Sequence, residues 1–173
     1  MKDALRTLIA LFVGIPLTAV EVEGQSPTAW MARPEIREIR DIYAEVTEAI
    51  RIRELTEDVR QFEYCQPSVT YRAVAADEDG NIRRYVEKGG SDDSAFEAQY
   101  FYDTAGHLRF IFAKRGAVNG SRLEEREYYG AQGDSLYVDR RIVEGIGYFW
   151  VDPDPILDPR AAFDAPGECP EKP

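Results

Sequence analysis

Between Pro34 and Leu55 the apolar residues Ile36, Ile39, Tyr43, Val46 and Ile50 recur at alternating steps of three and four, with Glu, Arg and Asp filling the gaps. That period draws one apolar stripe along an α-helix and leaves the charges on the other side. Pro34 suits the first turn, where the N–H it lacks would have no intrahelical partner. The stripe predicts a helix packed on a sheet.

From Cys65 onward the period shortens to two. The stretches SVTYRAVA, IRRYVEK, AFEAQYFY, LRFIFAKR, LEEREYY and LYVDRRIV are each of strand length and rich in β-branched or aromatic residues. Alternation puts Phe96, Ala98, Tyr100 and Tyr102 on one face, and Leu108, Phe110 and Phe112 together on another. Short connections carrying turn residues make the strands an antiparallel meander. In Asp77-Glu78-Asp79-Gly80, Asp103-Thr104-Ala105-Gly106 and Gly130-Ala131-Gln132-Gly133 the last glycines stand 26 and 27 residues apart, so one hairpin unit recurs. Asp or a small residue first and Gly fourth suit a type I turn closing into a left-handed glycine. His107, the chain's one histidine, follows such a glycine and reads as a turn residue. The expected fold is α+β: an N-terminal helix packed on a five- or six-stranded antiparallel β-meander sheet within residues 25–151. Residues 152–173 are expected to form an irregular, Pro-rich acidic tail over the surface.

Upstream, Lys2 and Arg6 precede the apolar run Leu8–Val20, and small or β-branched residues follow at Val22 and Gly24. This reads as a signal peptide over residues 1–24 and predicts a periplasmic or secreted protein. About 13 residues broken by Gly14 and Pro16 fall short of the roughly 20 that span a bilayer, so no integral membrane protein is expected after cleavage. Losing residues 1–24 removes a net charge of −1 and leaves −10 of the chain's −11. An acidic surface repels phosphate backbones and anionic lipid, which argues against nucleic acid as a partner.

Two cysteines remain, Cys65 and Cys169, and an even pair in an oxidising compartment predicts one disulfide. In the chain-entropy account a loop of that length stabilises by about 4–5 kcal/mol, less any strain. Two distant thiols and one distant histidine do not make zinc spacing, so neither a metal nor another cofactor is expected. DEDGNI at Asp77–Ile82 has the centre of a calcium loop, but Ala75 and Val86 stand where ligands are needed, and it reads as an ordinary turn.

With the glycine turns at one end of the meander, the other connections gather at the opposite end: GGSDDS, GAVNGS and EGIG. Ser91, Asp92, Asp93, Ser94, Asn119 and Ser121 bring hydroxyl, carboxylate and amide groups there, which makes this the candidate ligand site. Asn119–Ser121 also matches an N-glycosylation acceptor, a mark of an exposed loop. Glu124, Glu125, Arg126, Glu127, Arg140, Arg141 and Arg109 read as alternating charges on a solvated, paired sheet face. No nucleophile–histidine system or phosphate loop can be assembled.

EIREIRDIYAEVTEAI, FEYC, EKGGSDDSAFEAQYFYDTAGHLRFIF and GAVNGSRLEEREYY, taken in order, resemble uncharacterised small bacterial exported proteins with one long helix and a tyrosine-rich β-meander. That resemblance covers roughly Glu35–Val143 and implies fold and export, with no activity to transfer. The tyrosine and glycine spacing is also similar to MORN-like and YD-like β repeats, whose shorter period is not kept. The expected function is a non-enzymatic exported module that binds a protein, peptide or glycan of the cell envelope through the loop end or the tyrosine-rich sheet face. A carboxylate-based cell-envelope hydrolase is the alternative.

Overall fold

The computed structural model describes residues 29–63 and 68–167; the expected signal peptide, Cys65 and Cys169 lie outside them. A 3₁₀ turn over Ala29–Ala32 leads into α1, Pro34–Arg51, with the proline in the first turn. Ile36, Ile39 and Val46 are buried against the sheet, and Tyr43, half exposed, sets its ring on Phe101 and Phe110 at centroid distances of 4.9 and 5.4 Å. Each fully buried aliphatic side chain of this stripe contributes about 1.5–3 kcal/mol.

The sheet is an antiparallel meander whose seven strands lie in sequence order: β1 Thr56–Gln61, β2 Ser68–Ala76, β3 Ile82–Gly90, β4 Ser94–Tyr102, β5 Leu108–Ala117, β6 Arg122–Tyr129 and β7 Ser135–Glu144. Five or six strands were expected, and the addition is β1. TEDVRQ carries no apolar alternation, because this edge strand is exposed along most of its length and is held by its backbone ladder to β2.

Three hairpins share one turn. Gly80, Gly106 and Gly133 have φ of +82°, +82° and +83°, each donating its N–H to the carbonyl three residues back at 3.0 Å. After each turn comes a bulge. Tyr102 pairs with Leu108 and Phe101 with Phe110, so Arg109 is the extra residue, as Arg83 is after the first turn and Leu136 after the third. The bulge reverses the facing of one residue: Leu108 packs with Tyr102, while Phe110 and Phe112 pack toward α1, so the three do not share a face.

The extra arginines tie the layers together. Arg83 and Arg109 are buried and donate Nε to the carbonyls of Tyr102 and Tyr129, each at 3.2 Å. Their outer nitrogens reach Glu45 and Glu38, both at 3.1 Å, two glutamates seven residues apart and so on one side of α1.

The second face is covered by the chain beyond β7. The segment expected to run irregularly contains α2, Pro159–Asp164, N-capped by Asp158, whose Oδ1 accepts from the Ala161 amide at 2.9 Å. Phe163 is buried in a cluster with Val74, Tyr85, Tyr100, Tyr102 and Ile111. Tyr102 Oη donates to the Ile156 carbonyl at 2.8 Å, and Arg60 and Arg72 donate to the carbonyls of Phe163 and Ala165 at 2.8 and 2.7 Å. A tyrosine-rich face has apolar rings to bury, and the tail supplies the layer that buries them.

Candidate binding site

Six polar residues mark the loop end, and the fold divides them into two clusters. At the β3–β4 turn, Ser91 Oγ donates to Asp93 Oδ1 at 2.6 Å and lies 2.8 Å from Ser94 Oγ, with Asp92 exposed beside them. Gly90 lets the turn close, since an added Cβ there would stand 2.2 Å from the Ser94 carbonyl oxygen, and Gly89 lets β2 approach, where a Cβ would stand 2.2 Å from the Ser68 carbonyl oxygen. In the β5–β6 turn, Asn119 Oδ1 accepts the Ser121 amide at 2.9 Å, and its Nδ2 donates to the Gly147 carbonyl at 3.1 Å. Ser121 is buried, its Oγ donating to the Gly147 carbonyl at 2.9 Å and accepting the Gly147 amide at 3.1 Å. Asp93 also accepts the hydroxyl of Tyr148. Ser91 and Tyr148, both donating to it, hold the Asp93 carboxyl below its ordinary range.

These bonds aim the chain. Ser121, Asn119 and Asp93 fasten Gly147 and Tyr148 at the loop end, and the strap Tyr148–Ile156 then crosses the tyrosine-rich face. Between strap and sheet lies a cavity of about 580 Å³. Its rim includes Ser91, Asp93 and Ser94; Asp92 and Ser121 line a shallower groove of about 460 Å³ at the end of the sheet. Asn119 lines neither, and serves instead to hold Gly147.

Strand register explains the depth. One row across the sheet reads Arg60, Arg72, Glu87, Ala98, Ala113, Glu125 and Arg140. Two alanines at its centre leave space beneath the strap, with Ala98 in the floor and Phe96 beside it. Tyr148, Phe149 and Trp150 supply aromatic walls, and Glu87, Asp93, Asp152 and Asp154 set four carboxylates against the one guanidinium of Arg115.

The charges expected on one solvated face are split between both faces. Glu125, 1% exposed, sits between Arg115, whose Nη1 is 3.3 Å from its Oε2, and Arg140, whose Nε is 3.1 Å from its Oε1. Arg140 continues to Asp152 of the strap. A lone buried carboxylate is costly, so Glu125 needs both partners. Glu124, Arg126 and Arg141 point to the helix side, and Arg109 is buried between Glu38 and Asp103. Tyr100 and Tyr85 donate to Glu87 at 2.8 and 3.3 Å; burial, and then the charge of Glu87, push both phenols well above their ordinary range.

His107 is exposed, with Nδ1 3.4 Å from Asp103 in its own turn. Asp103 closes that turn by accepting the His107 backbone amide at 2.9 Å, and Asp77 closes its own the same way, accepting the Asn81 amide at 2.8 Å. Among the described residues no His, Cys, Asp and Glu group is arranged to hold a metal ion, and no helix is long and apolar enough to cross a membrane. Residues Tyr148–Ile156 and Arg115 were not singled out by sequence. The signal lay in the aromatic run YFW after EGIG, but nothing local says which face it crosses.

No family model, no curated protein and no solved structure matches the chain.

Proposed function

We propose that this protein is a binding module, exported to the cell envelope, that takes a basic side chain or amine terminus of a peptide or protein partner in the cavity beneath the strap. The observation that carries the reading is that cavity: about 580 Å³, within the range of small-ligand sites, walled by aromatic rings and lined by four carboxylates and one guanidinium. Aromatic faces and carboxylates together favour a cation with an apolar stem, through ring quadrupole and charge. A neutral glycan would use the rings and make no use of the carboxylates of Asp93 and Asp154. Carboxylate-based hydrolysis needs a carboxyl kept protonated near neutrality, and Asp93 is biased the other way by Ser91 and Tyr148. Export rests on the basic and apolar pattern of residues 1–24.

The chain has two tryptophans, Trp30 and Trp150, so Trp30→Phe leaves Trp150 as the reporter within the cavity. Tetralysine is expected to shift Trp150 emission, while tetraglutamate and chitotetraose do not. Asp93→Asn with Asp154→Asn should weaken the tetralysine response by about tenfold or more, the scale of one or two charge-assisted contacts. A response to chitotetraose but not to tetralysine would overturn the reading in favour of a glycan.

A further inference from the structure

The opposite face carries a second cavity of about 650 Å³, between α1 and strands β5–β7, and its sign is reversed. Arg37, Arg40, Arg126 and Arg141 line it against Asp41 and Asp139, in a chain of net charge −11. Asp139 engages Arg141, accepting its Nε at 3.1 Å. Arg126 is stacked on Phe112 with its guanidinium carbon 4.8 Å from the ring centroid, and it donates one nitrogen to Glu124 at 2.7 Å. Its other terminal nitrogen, Nη1, is buried with no hydrogen-bond partner. Arg40 makes no hydrogen bond or ion pair among the described residues.

These cations surround Tyr128, which is also in the lining. Burial pushes the Tyr128 phenol up; Arg126, Arg40 and Arg141 pull against that shift, and Asp139 adds to it. Trp30, stacked on Tyr137 at 4.0 Å, and the ring of Tyr43 close the apolar side. A buried guanidinium nitrogen without an acceptor is a deficit that an anion's oxygen removes, and the aromatic walls favour an apolar body behind that anion.

We infer that the cavity between α1 and β5–β7 binds an organic anion: a phosphate, sulfonate or carboxylate group carried on an aromatic or other apolar body. The guanidiniums of Arg40 and Arg126 hold the charged group, and Trp30, Tyr43 and Phe112 receive the body. A soluble metabolite and a lipid headgroup share this chemistry.

The full mature chain carrying Trp150→Phe keeps Trp30 as its one tryptophan, inside the cavity. Phenyl phosphate is the probe, followed by Trp30 emission and by calorimetry, with phenol and inorganic phosphate as controls. Phenyl phosphate is expected to bind more tightly than either control. Arg40→Gln and Arg126→Gln are each expected to weaken it by about tenfold, the effect of one charge-assisted contact. Arg40 is exposed, so its variant keeps the parent's melting temperature and carries the test if Arg126→Gln unfolds. Cosedimentation with phosphatidylglycerol vesicles, against phosphatidylcholine, separates the sources: capture there that Arg40→Gln abolishes, without phenyl phosphate binding, assigns the site to a lipid headgroup. Absence of binding in both arms, or binding that both arginine variants retain in full, overturns the inference.

Discussion

Arg109, enclosed at the bulge of β5, lies 3.1 Å from Glu38 on α1, and the two residues are 4% and 61% exposed at their side chains. The pair is therefore unequal, since the guanidinium is buried and the carboxylate is wet. Arg109 also donates to the Tyr129 carbonyl and pairs with Asp103 at 3.1 Å, so its loss strands two further groups.

Arg109→Leu is expected to lower stability by about 2–4 kcal/mol, because it leaves buried acceptors without donors. Glu38→Gln should cost under about 1 kcal/mol, as exposed ion pairs do. Urea denaturation of the two variants decides it: equal losses would place the stabilisation in the helix contact rather than in the bulge.

Gly106 has φ of +82° and open space where a Cβ would stand, so substitution there meets strain and no clash. Gly106→Val should cost about 1–2 kcal/mol. His107→Ala, next along the chain, should change stability by less than about 0.5 kcal/mol and leave binding intact. Loss of binding in His107→Ala at unchanged stability would give the histidine a role in binding.

Two carboxyls, Glu127 buried and Asp103 partly buried, respond to pH with opposite signs. Burial raises the Glu127 carboxyl, the Tyr129 hydroxyl at 2.6 Å opposes it, and the charge of Glu125 adds to the rise, with a net upward shift. Its contribution is fully present below the ordinary glutamate value of about 4.3 and is lost as pH rises through the raised value. For Asp103 burial is outweighed by the His107 amide and the Arg109 guanidinium, and the net shift is downward. That contribution is present above about 3.9 and is lost as pH falls through the lowered value. Melting temperatures between pH 3 and pH 8 should show Glu127→Gln declining less than the parent above pH 4, and Asp103→Asn converging on the parent in acid. Parallel curves for all three proteins would mean that neither carboxyl is linked to folding.

The tail returns to β1 and β2: a Cβ on Gly167 would stand 2.8 Å from the Phe62 ring, and Arg72 draws the carbonyl of Ala165 to 2.7 Å. The disulfide expected between Cys65 and Cys169 lies outside the described residues and is tested chemically. Mature protein from its native compartment, denatured without reduction, is expected to show no free thiol. Labelling of both Cys65 and Cys169 would reject the bridge.

By itself the sequence determined α1, the order of six strands and the glycine turns, because each depends on local periodicity or on a backbone conformation that one residue type favours. Ile36, Ile39 and Val46 bury at the spacing they show in the chain, and Gly80, Gly106 and Gly133 adopt one positive φ at a spacing of 26 and 27 residues. β1 was not legible, since Val59 is its one apolar residue and is 52% exposed. Nor was the facing of Leu108, which depends on a one-residue bulge opposite Tyr102. At the candidate site, Ser91, Asp93 and Ser94 were legible as polar loop residues. Their grouping around Tyr148, and the cavity over Ala98, come from a strap that leaves β7 and returns across the whole sheet. Only tertiary structure decided which charges are buried, because burying Glu125 is tolerable only where Arg115 and Arg140 arrive from β5 and β7 to meet it.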